Sequence, residues 1–136
     1  MTHDAPPRHR ILIVDDDEST RLLLARLVST DLEAEVQLAG TCEQALRLVE
    51  NYAYDAILLD LLMPGRGGLA VLKEVRAGSP NAATPVVIVS VVSEERSMQE
   101  CMAAGATAYH LKPVRREALV AAVRAALASR RSRPSA

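Results

Sequence analysis

The sequence contains no tryptophan or phenylalanine and only three tyrosines among its 136 residues. Hydrophobic residues nevertheless make up 49% of the chain, so leucine, valine, isoleucine and alanine must form its core. A chain of this length is long enough for one domain with a single core. We therefore expect one domain that is packed almost entirely with aliphatic side chains.

The sequence also lacks long apolar runs and a large excess of charge. No apolar run approaches the roughly 18–20 residues of a membrane span, and the first ten residues lack the apolar segment of a signal peptide. These two absences predict a cytoplasmic protein without membrane contact. The net charge of −1 argues against a nucleic-acid-binding domain, which usually carries a strongly basic face.

Cysteine and lysine are both scarce. The two cysteines, Cys42 and Cys101, have no cysteine or histidine nearby at zinc-binding spacing, so we expect free thiols that pack as small apolar groups. Of the 16 lysine and arginine residues, only Lys73 and Lys112 are lysines.

Apolar runs that suit strands alternate along the chain with segments of helical periodicity. The pattern predicts strands at 10–14, 35–39, 56–59, 86–89 and 107–111. It predicts helices at 18–29, 41–51, 68–77, 94–104 and 115–129, with Thr41 and Ser93 as N-caps and Gly105 as a terminator. Such alternation is typical of a doubly wound α/β fold with a parallel sheet. Residues 1–9 and 130–136 are expected to be a flexible arm and a flexible basic tail around a domain of residues 10–129.

Polar residues follow four of the five predicted strands. Asp15 and Asp16 come after the first strand, Asp60 after the third, Ser90 after the fourth and Lys112 after the fifth. Parallel strands bring their carboxyl ends to one edge of the sheet, which is where open α/β sheets bind ligands. Any one of these residues could be an ordinary turn former or helix cap. Their arrival together at one edge favours a functional site.

Several carboxylates in one crevice repel each other and need a cation. Oxygen ligands without histidine or cysteine favour Mg²⁺ over zinc, and Mg²⁺ in turn favours a phosphate-bearing partner. Asp60 ends a buried strand and opens a loop, so it is the candidate nucleophile that would form an aspartyl phosphate. Lys112 and Ser90 are candidates to stabilise the phosphoryl oxygens.

The chain resembles the CheY-like receiver domains of response regulators in two-component signalling over about residues 10–129. The motifs that carry the resemblance are Ile13-Val14-Asp15-Asp16, Leu59-Asp60 with Met63-Pro64 and Gly68, Val89-Ser90, Ala104-Gly105-Ala106, and Tyr109 with Lys112-Pro113. The resemblance implies a flavodoxin-like (βα)5 fold with strand order 2-1-3-4-5. It also implies a signalling protein that promotes its own phosphorylation and dephosphorylation, and not an enzyme with a separate substrate.

The resemblance further implies the roles of particular residues. Asp60 would accept a phosphoryl group from a histidine kinase or a histidine phosphotransfer protein. Asp16 and Asp60 would bind Mg²⁺ directly, Asp15 would act through a metal-bound water, and the backbone carbonyl of Leu62 would complete the protein ligands. Lys112 would contact the phosphoryl group.

A switch is implied as well. Ser90 would move towards the phosphoryl group, and Tyr109 would turn inward into the space that this vacates. This would repack the face formed by the fourth helix, fifth strand and fifth helix, which is also a possible homodimer surface. The Lys112-Pro113 bond would be cis, as is common in the family.

Three apolar residues depart from the family pattern around Asp60. Leu62 and Val92 occupy two variable positions where polar side chains often help to position an attacking water. Val91 is bulkier than the small residue usually found beside the switch hydroxyl, and Gly67 replaces an aspartate that can cap the third helix. We therefore expect slow autodephosphorylation.

Two other functions compete with the receiver. Residues 15–19 fit the D-x-D-x-S pattern of haloacid-dehalogenase-type phosphatases, with Asp15 as nucleophile and Asp17 as acid. Such an enzyme needs another acidic motif late in the chain, and Glu117 is the only acid after Lys112. Otherwise Asp17 suits the start of the first helix. The second alternative is a binding module that keeps the receiver fold without the phosphorylation chemistry.

Overall fold

A computed structural model of the chain describes residues 9–131 and contains five strands and five helices in strict alternation within that range. The strands are β1 His9–Val14, β2 Ala34–Ala39, β3 Ala56–Leu59, β4 Val86–Ser90 and β5 Ala108–Leu111. The helices are α1 Glu18–Leu32, α2 Cys42–Asn51, α3 Gly67–Arg76, α4 Glu95–Ala103 and α5 Arg116–Arg131. All strand pairs are parallel and the order is β2-β1-β3-β4-β5. The predicted doubly wound sheet and its strand order are confirmed.

Two element boundaries differ instructively from the predictions. Helix α1 continues to Leu32 and ends at Glu33, which takes a left-handed conformation with φ of 51°. Ser93 is not an N-cap, because α4 begins at Glu95 after an N-cap Glu94 that makes no side-chain capping bond. Glu94 keeps an extended backbone, and two residues earlier the loop is held at Val92, whose N–H donates to the Ser90 hydroxyl and whose carbonyl accepts from the Tyr109 hydroxyl.

The ends of the domain overlap slightly with the segments expected to be flexible. Strand β1 begins at His9, and α5 reaches Arg131. The remainder of the predicted arm, residues 1–8, and of the predicted tail, residues 132–136, lies outside the described residues.

The core consists of two aliphatic layers, one on each face of the sheet. Leu12 and Val14 of β1 face a layer shared with α2, α3 and α4, while Ile11 and Ile13 face a layer shared with α1 and α5. This alternation follows from the two-residue period of a strand. Cys42 and Cys101 are buried free thiols, as predicted. Within residues 9–131, no helix is long and apolar enough to cross a membrane.

Strand register and one close backbone contact place Asp60. Val14 pairs with Leu59, so the residues that follow them, Asp15 and Asp60, leave the sheet side by side. The Asp60 N–H donates to the Val14 carbonyl at 3.0 Å. A Cβ at Gly68 would lie 2.1 Å from the Asp60 carbonyl oxygen, so only glycine lets the first turn of α3 pack against the end of β3.

Candidate functional site

The turn between β1 and α1 carries three consecutive aspartates with different environments. Asp15 is buried, and its Oδ1 accepts a hydrogen bond from the Asp17 N–H at 2.9 Å. Asp17 is the N-cap of α1: its Oδ2 accepts from the Thr20 hydroxyl at 2.6 Å and from the Thr20 N–H at 2.9 Å. These two bonds hold the pKa of Asp17 below its ordinary value. The predicted role of Asp17 as a helix-start residue is confirmed, and Asp16 remains exposed beside it.

Asp15, Asp16 and Asp60 form a carboxylate cluster. One oxygen from each lies within 4.8 Å of the other two. The ligand atoms are all carboxylate oxygens, which suit a hard divalent cation such as Mg²⁺ and do not suit zinc or copper. The residues present therefore fit the predicted metal. The carboxyl group of Asp60 also accepts a bond from the Leu62 N–H at 3.2 Å, whereas the role of the Leu62 carbonyl as a ligand stays a prediction.

Lys112 extends from the end of β5 into this cluster. Its Nζ lies 2.7 Å from Asp15 Oδ2 and 3.2 Å from Asp60 Oδ2, and its own backbone N–H donates to the Ser90 carbonyl at 2.9 Å. Two of the three carboxylates contact this ammonium, which leaves an excess of negative charge in the cluster. Such an excess favours binding of a divalent cation.

The ammonium of Lys112 stays charged in this position. Burial is the largest single influence and lowers the pKa of Lys112, but the hydrogen bond to Asp15 and the charges of Asp60 and Asp15 together outweigh it, so the pKa is raised. A lysine whose pKa is raised on folding stabilises the fold fully below its unfolded pKa of about 10.4. That contribution is present at neutral pH and is lost only as the pH rises through the folded pKa.

Ser90 and Tyr109 meet at the loop after β4. The buried Ser90 hydroxyl accepts a hydrogen bond from the Val92 N–H at 3.2 Å. The Tyr109 hydroxyl donates to the Val92 carbonyl at 2.5 Å, and partial burial raises its pKa. Both predicted switch residues are therefore hydrogen-bonded to Val92, Ser90 through the Val92 N–H and Tyr109 through the Val92 carbonyl. Their movements during signalling remain predictions.

The apolar residues that depart from the family pattern surround the site. Leu62 is 55% exposed and Val91 is 58% exposed, although both are large aliphatic side chains. Leu62 and Val92 line one shallow groove between the β3–α3 loop and α4. Val91 lines a different cavity, together with Lys112 and residues of α1.

Two residues near the site and one at the opposite end of β3 have roles that the sequence patterns do not reveal. Gly68 is recognisable only as part of a motif, although its missing side chain is what lets the first turn of α3 pack against the Asp60 carbonyl. Arg21 donates from Nη1 to the Asp15 carbonyl at 2.9 Å. Asn81, in the loop before β4, is fully buried and accepts from the Tyr54 N–H at 2.8 Å, just ahead of β3. A sequence signal exists only for Arg21, which lies one helical turn after the N-cap Asp17.

The geometry of the site disfavours the alternative function of a haloacid-dehalogenase-type phosphatase. Asp17, the acid of that mechanism, is committed to capping α1. Glu117 lies on α5 and is outside the carboxylate cluster.

Comparisons with known proteins identify the family of this arrangement. Residues 11–124 match the family model of the response regulator receiver domain. The DNA-binding response regulator MtrA of Mycolicibacterium smegmatis is 34% identical over 131 residues, which cover 94% of this chain and 54% of MtrA. The sensory/regulatory protein RpfC of Xanthomonas campestris is 37% identical over 107 residues, which cover 77% of this chain and 15% of RpfC. The chain therefore spans less than two thirds of either relative.

A solved structure shows the same fold. The receiver domain of the sensor histidine kinase PA1611 from Pseudomonas aeruginosa is 26% identical with a TM-score of 0.80. The match covers 88% of this chain and 98% of that domain, which was crystallised with a magnesium ion coordinated in its active-site cleft.

Proposed function

The chain belongs to the response-regulator receiver family, and we propose that it accepts a phosphoryl group on Asp60 from a histidine kinase or a histidine phosphotransfer protein. The observation that carries this proposal is the cluster of Asp15, Asp16 and Asp60 around the single ammonium of Lys112. Asp60 is the member of the cluster that ends a central strand and opens a loop. Its carboxylate is the proposed nucleophile.

The transfer would form one bond and break one bond. A carboxylate oxygen of Asp60 attacks the phosphorus of the donor phosphohistidine, the bond from phosphorus to the histidine nitrogen breaks, and the nitrogen keeps the electron pair. Lys112 already lies against Asp60, so its ammonium can hold a phosphoryl oxygen that arrives there. Ser90 is the last residue of the neighbouring strand, β4, and offers a hydroxyl donor for a second oxygen.

Mg²⁺ would be held by Asp16 and Asp60, by Asp15 through a water, and by the carbonyl of Leu62. When bound, it would neutralise charge on the transferring phosphoryl oxygens. The carboxylate cluster has too few cationic partners without it, because Lys112 compensates only one of three charges. The protein thereby promotes its own phosphorylation and, with water as acceptor, its own dephosphorylation. Since histidine kinases draw on ATP, the cytoplasm is the compartment that fits this chemistry.

Labelling with acetyl phosphate tests the proposal directly. With Mg²⁺, intact-mass spectrometry should show one phosphoryl group per chain in the wild type and in Asp17→Asn, and none in Asp60→Asn. Removal of Mg²⁺ with a chelator should abolish the label. Steady turnover of a phosphomonoester would instead support the phosphatase, and absence of label under conditions that label a control receiver would support the binding module.

Slow loss of the phosphoryl group is a second proposal about the same site. Hydrolysis needs a water that is positioned for in-line attack on the phosphorus. Leu62, whose N–H donates to Asp60, and Val92, whose N–H donates to Ser90, line one groove with aliphatic side chains that cannot hydrogen-bond such a water. Val91, which is exposed and lines a different cavity with Lys112, adds bulk there.

Substitution of Leu62 by asparagine should speed dephosphorylation, since an amide at this position can orient the attacking water. We expect about a tenfold increase in the first-order rate of phosphoryl loss. This is smaller than the rate factor of about 10²–10⁴ that a positioned general acid or base supplies, because an amide only orients the water. Leu22→Asn is the matched control, because Leu22 is an equally exposed leucine on α1. The idea is wrong if the wild type loses its label within seconds and Leu62→Asn does not accelerate the loss.

The face formed by α4, β5 and α5 is proposed as the surface that signals to a partner or to a second copy of the chain. Glu94 and Glu95 are exposed at the start of α4, and Arg115 is exposed at the start of α5. Met102 and Leu111 are exposed on the same elements. Acidic and basic groups around exposed apolar residues suit a two-fold contact in which each α4 meets the other copy's α5. This surface is not proposed to contact nucleic acid.

Light scattering on labelled protein tests the dimer. Phosphorylated wild type should show twice the monomer mass, whereas Leu111→Glu should remain monomeric after the same labelling because a charge would be buried in the contact. Leu22→Glu, on α1, should dimerise like the wild type. A monomeric labelled wild type, or dimerisation of Leu111→Glu, would contradict the proposal.

A further inference from the structure

We propose that Arg21 is a positioning residue for the metal site, acting on Asp16 through the peptide unit that joins it to Asp15. The inference rests on the proposed function, because it concerns the same carboxylate cluster. Arg21 would thus increase the affinity of the site for Mg²⁺, although its positive charge repels cations.

Asp15 is held at four points, and Arg21 supplies one of them. The Asp15 N–H donates to the Ala39 carbonyl of β2 at 3.1 Å, which ties the turn to the sheet. Its side chain accepts from the Asp17 N–H at 2.9 Å and from Lys112 Nζ at 2.7 Å. The remaining polar group of Asp15 is its backbone carbonyl, and this accepts from Arg21 Nη1 at 2.9 Å.

The Asp15 carbonyl belongs to the same planar peptide unit as the Asp16 nitrogen. A bond that fixes the carbonyl therefore fixes the plane from which the Asp16 side chain extends. Asp16 is exposed and is the outermost member of the carboxylate cluster, so solvent gives it little packing to hold its direction. The bond from Arg21 thus restricts the peptide unit before Asp16, and the bond from the Asp17 N–H to Asp15 Oδ1 restricts the peptide unit after it.

Arg21 is itself anchored. Its backbone N–H donates to the Asp17 carbonyl at 2.9 Å, in the first turn of α1. A helical side chain leans towards the N-terminus of its helix, which is the direction of the β1–α1 turn. Asp17 caps that helix, so it fixes where the β1–α1 turn ends and where the helix that carries Arg21 begins.

The loop after β2 leaves room for the guanidinium. A Cβ at Gly40 would lie 2.7 Å from Arg21 Nη1 and 3.3 Å from Arg21 Cζ. Gly40 is also bound through its N–H to Gln44 Oε1 at 2.9 Å, so the loop is not free to move away. A methyl group at residue 40 would therefore displace the guanidinium from the Asp15 carbonyl without changing Arg21 itself.

A positioning role and a purely electrostatic role of Arg21 predict opposite changes in Mg²⁺ affinity when Arg21 is removed. If Arg21 acted only as a charge, its removal would relieve repulsion of Mg²⁺ and would tighten binding. If it positions Asp16, its removal must weaken binding in spite of the relieved repulsion. Loss of a residue that orients a metal ligand typically lowers affinity about 10–100-fold.

Mg²⁺ titration by calorimetry on the full chain separates these cases. Arg21→Met should bind Mg²⁺ about tenfold more weakly than the wild type, at the lower end of the range for orienting residues because relieved repulsion offsets part of the loss. Arg21→Lys should recover most of the affinity, since an ammonium can donate to the same carbonyl. Gly40→Ala should lose affinity in the same direction. Arg26→Met, which removes the same charge from an exposed residue of α1, should leave the affinity near that of the wild type.

The outcomes distinguish this proposal from the proposed function. Absence of Mg²⁺ binding by the wild type would overturn the metal site and this inference with it. Binding by the wild type with equal or tighter binding by Arg21→Met would overturn the inference alone. Thermal unfolding without metal keeps the result interpretable: if Arg21→Met does not fold, Gly40→Ala must show the loss, and unchanged affinity in Gly40→Ala would then overturn the inference.

Discussion

The site depends on one ammonium held between two buried carboxylates. Lys112 Nζ contacts Asp15 and Asp60 at once, and Asp16 adds a third negative charge within 4.8 Å of both. Carboxylates at this spacing repel each other, so the fold must supply the free energy that keeps them together. The excess charge makes the site suitable for a divalent cation and for the transfer of a phosphoryl group.

Backbone contacts hold these charged groups together. The register of β1 against β3 puts Asp15 beside Asp60, and the bond from Lys112 to the Ser90 carbonyl aligns the end of β5 with the end of β4. Gly68 lets the first turn of α3 pack directly against the backbone of Asp60. In the loop after β4, the Val92 N–H donates to the Ser90 hydroxyl and the Val92 carbonyl accepts from the Tyr109 hydroxyl. The proposed phosphorylation site and the proposed signalling face of α4 and β5 are therefore joined through one residue.

Much of this follows from sequence patterns because the relevant signals are local. The apolar run of β3, Ala56–Leu59, and the acids at strand ends locate the sheet edge and the carboxylate cluster. What the sequence does not reveal depends on how the loops at this edge of the sheet fold. Ser93 is a good cap by type, yet α4 begins at Glu95, after an N-cap Glu94 that makes no side-chain capping bond. The contact of Gly68 with Asp60 and that of Arg21 with Asp15 join residues close in sequence, but they depend on the path of a loop that residue type alone does not specify.

The most direct test of this account is the free energy of unfolding of Lys112→Met in metal-free buffer, with Lys73→Met as control. The chain has only these two lysines, and Lys73 is exposed on α3. We expect Lys112→Met to lose about 2–3 kcal/mol, because two buried carboxylates lose their common partner while some solvent contact softens the penalty. Mg²⁺ should restore part of the loss, and Lys73→Met should change little. A Lys112→Met protein as stable as the wild type without metal would contradict the account.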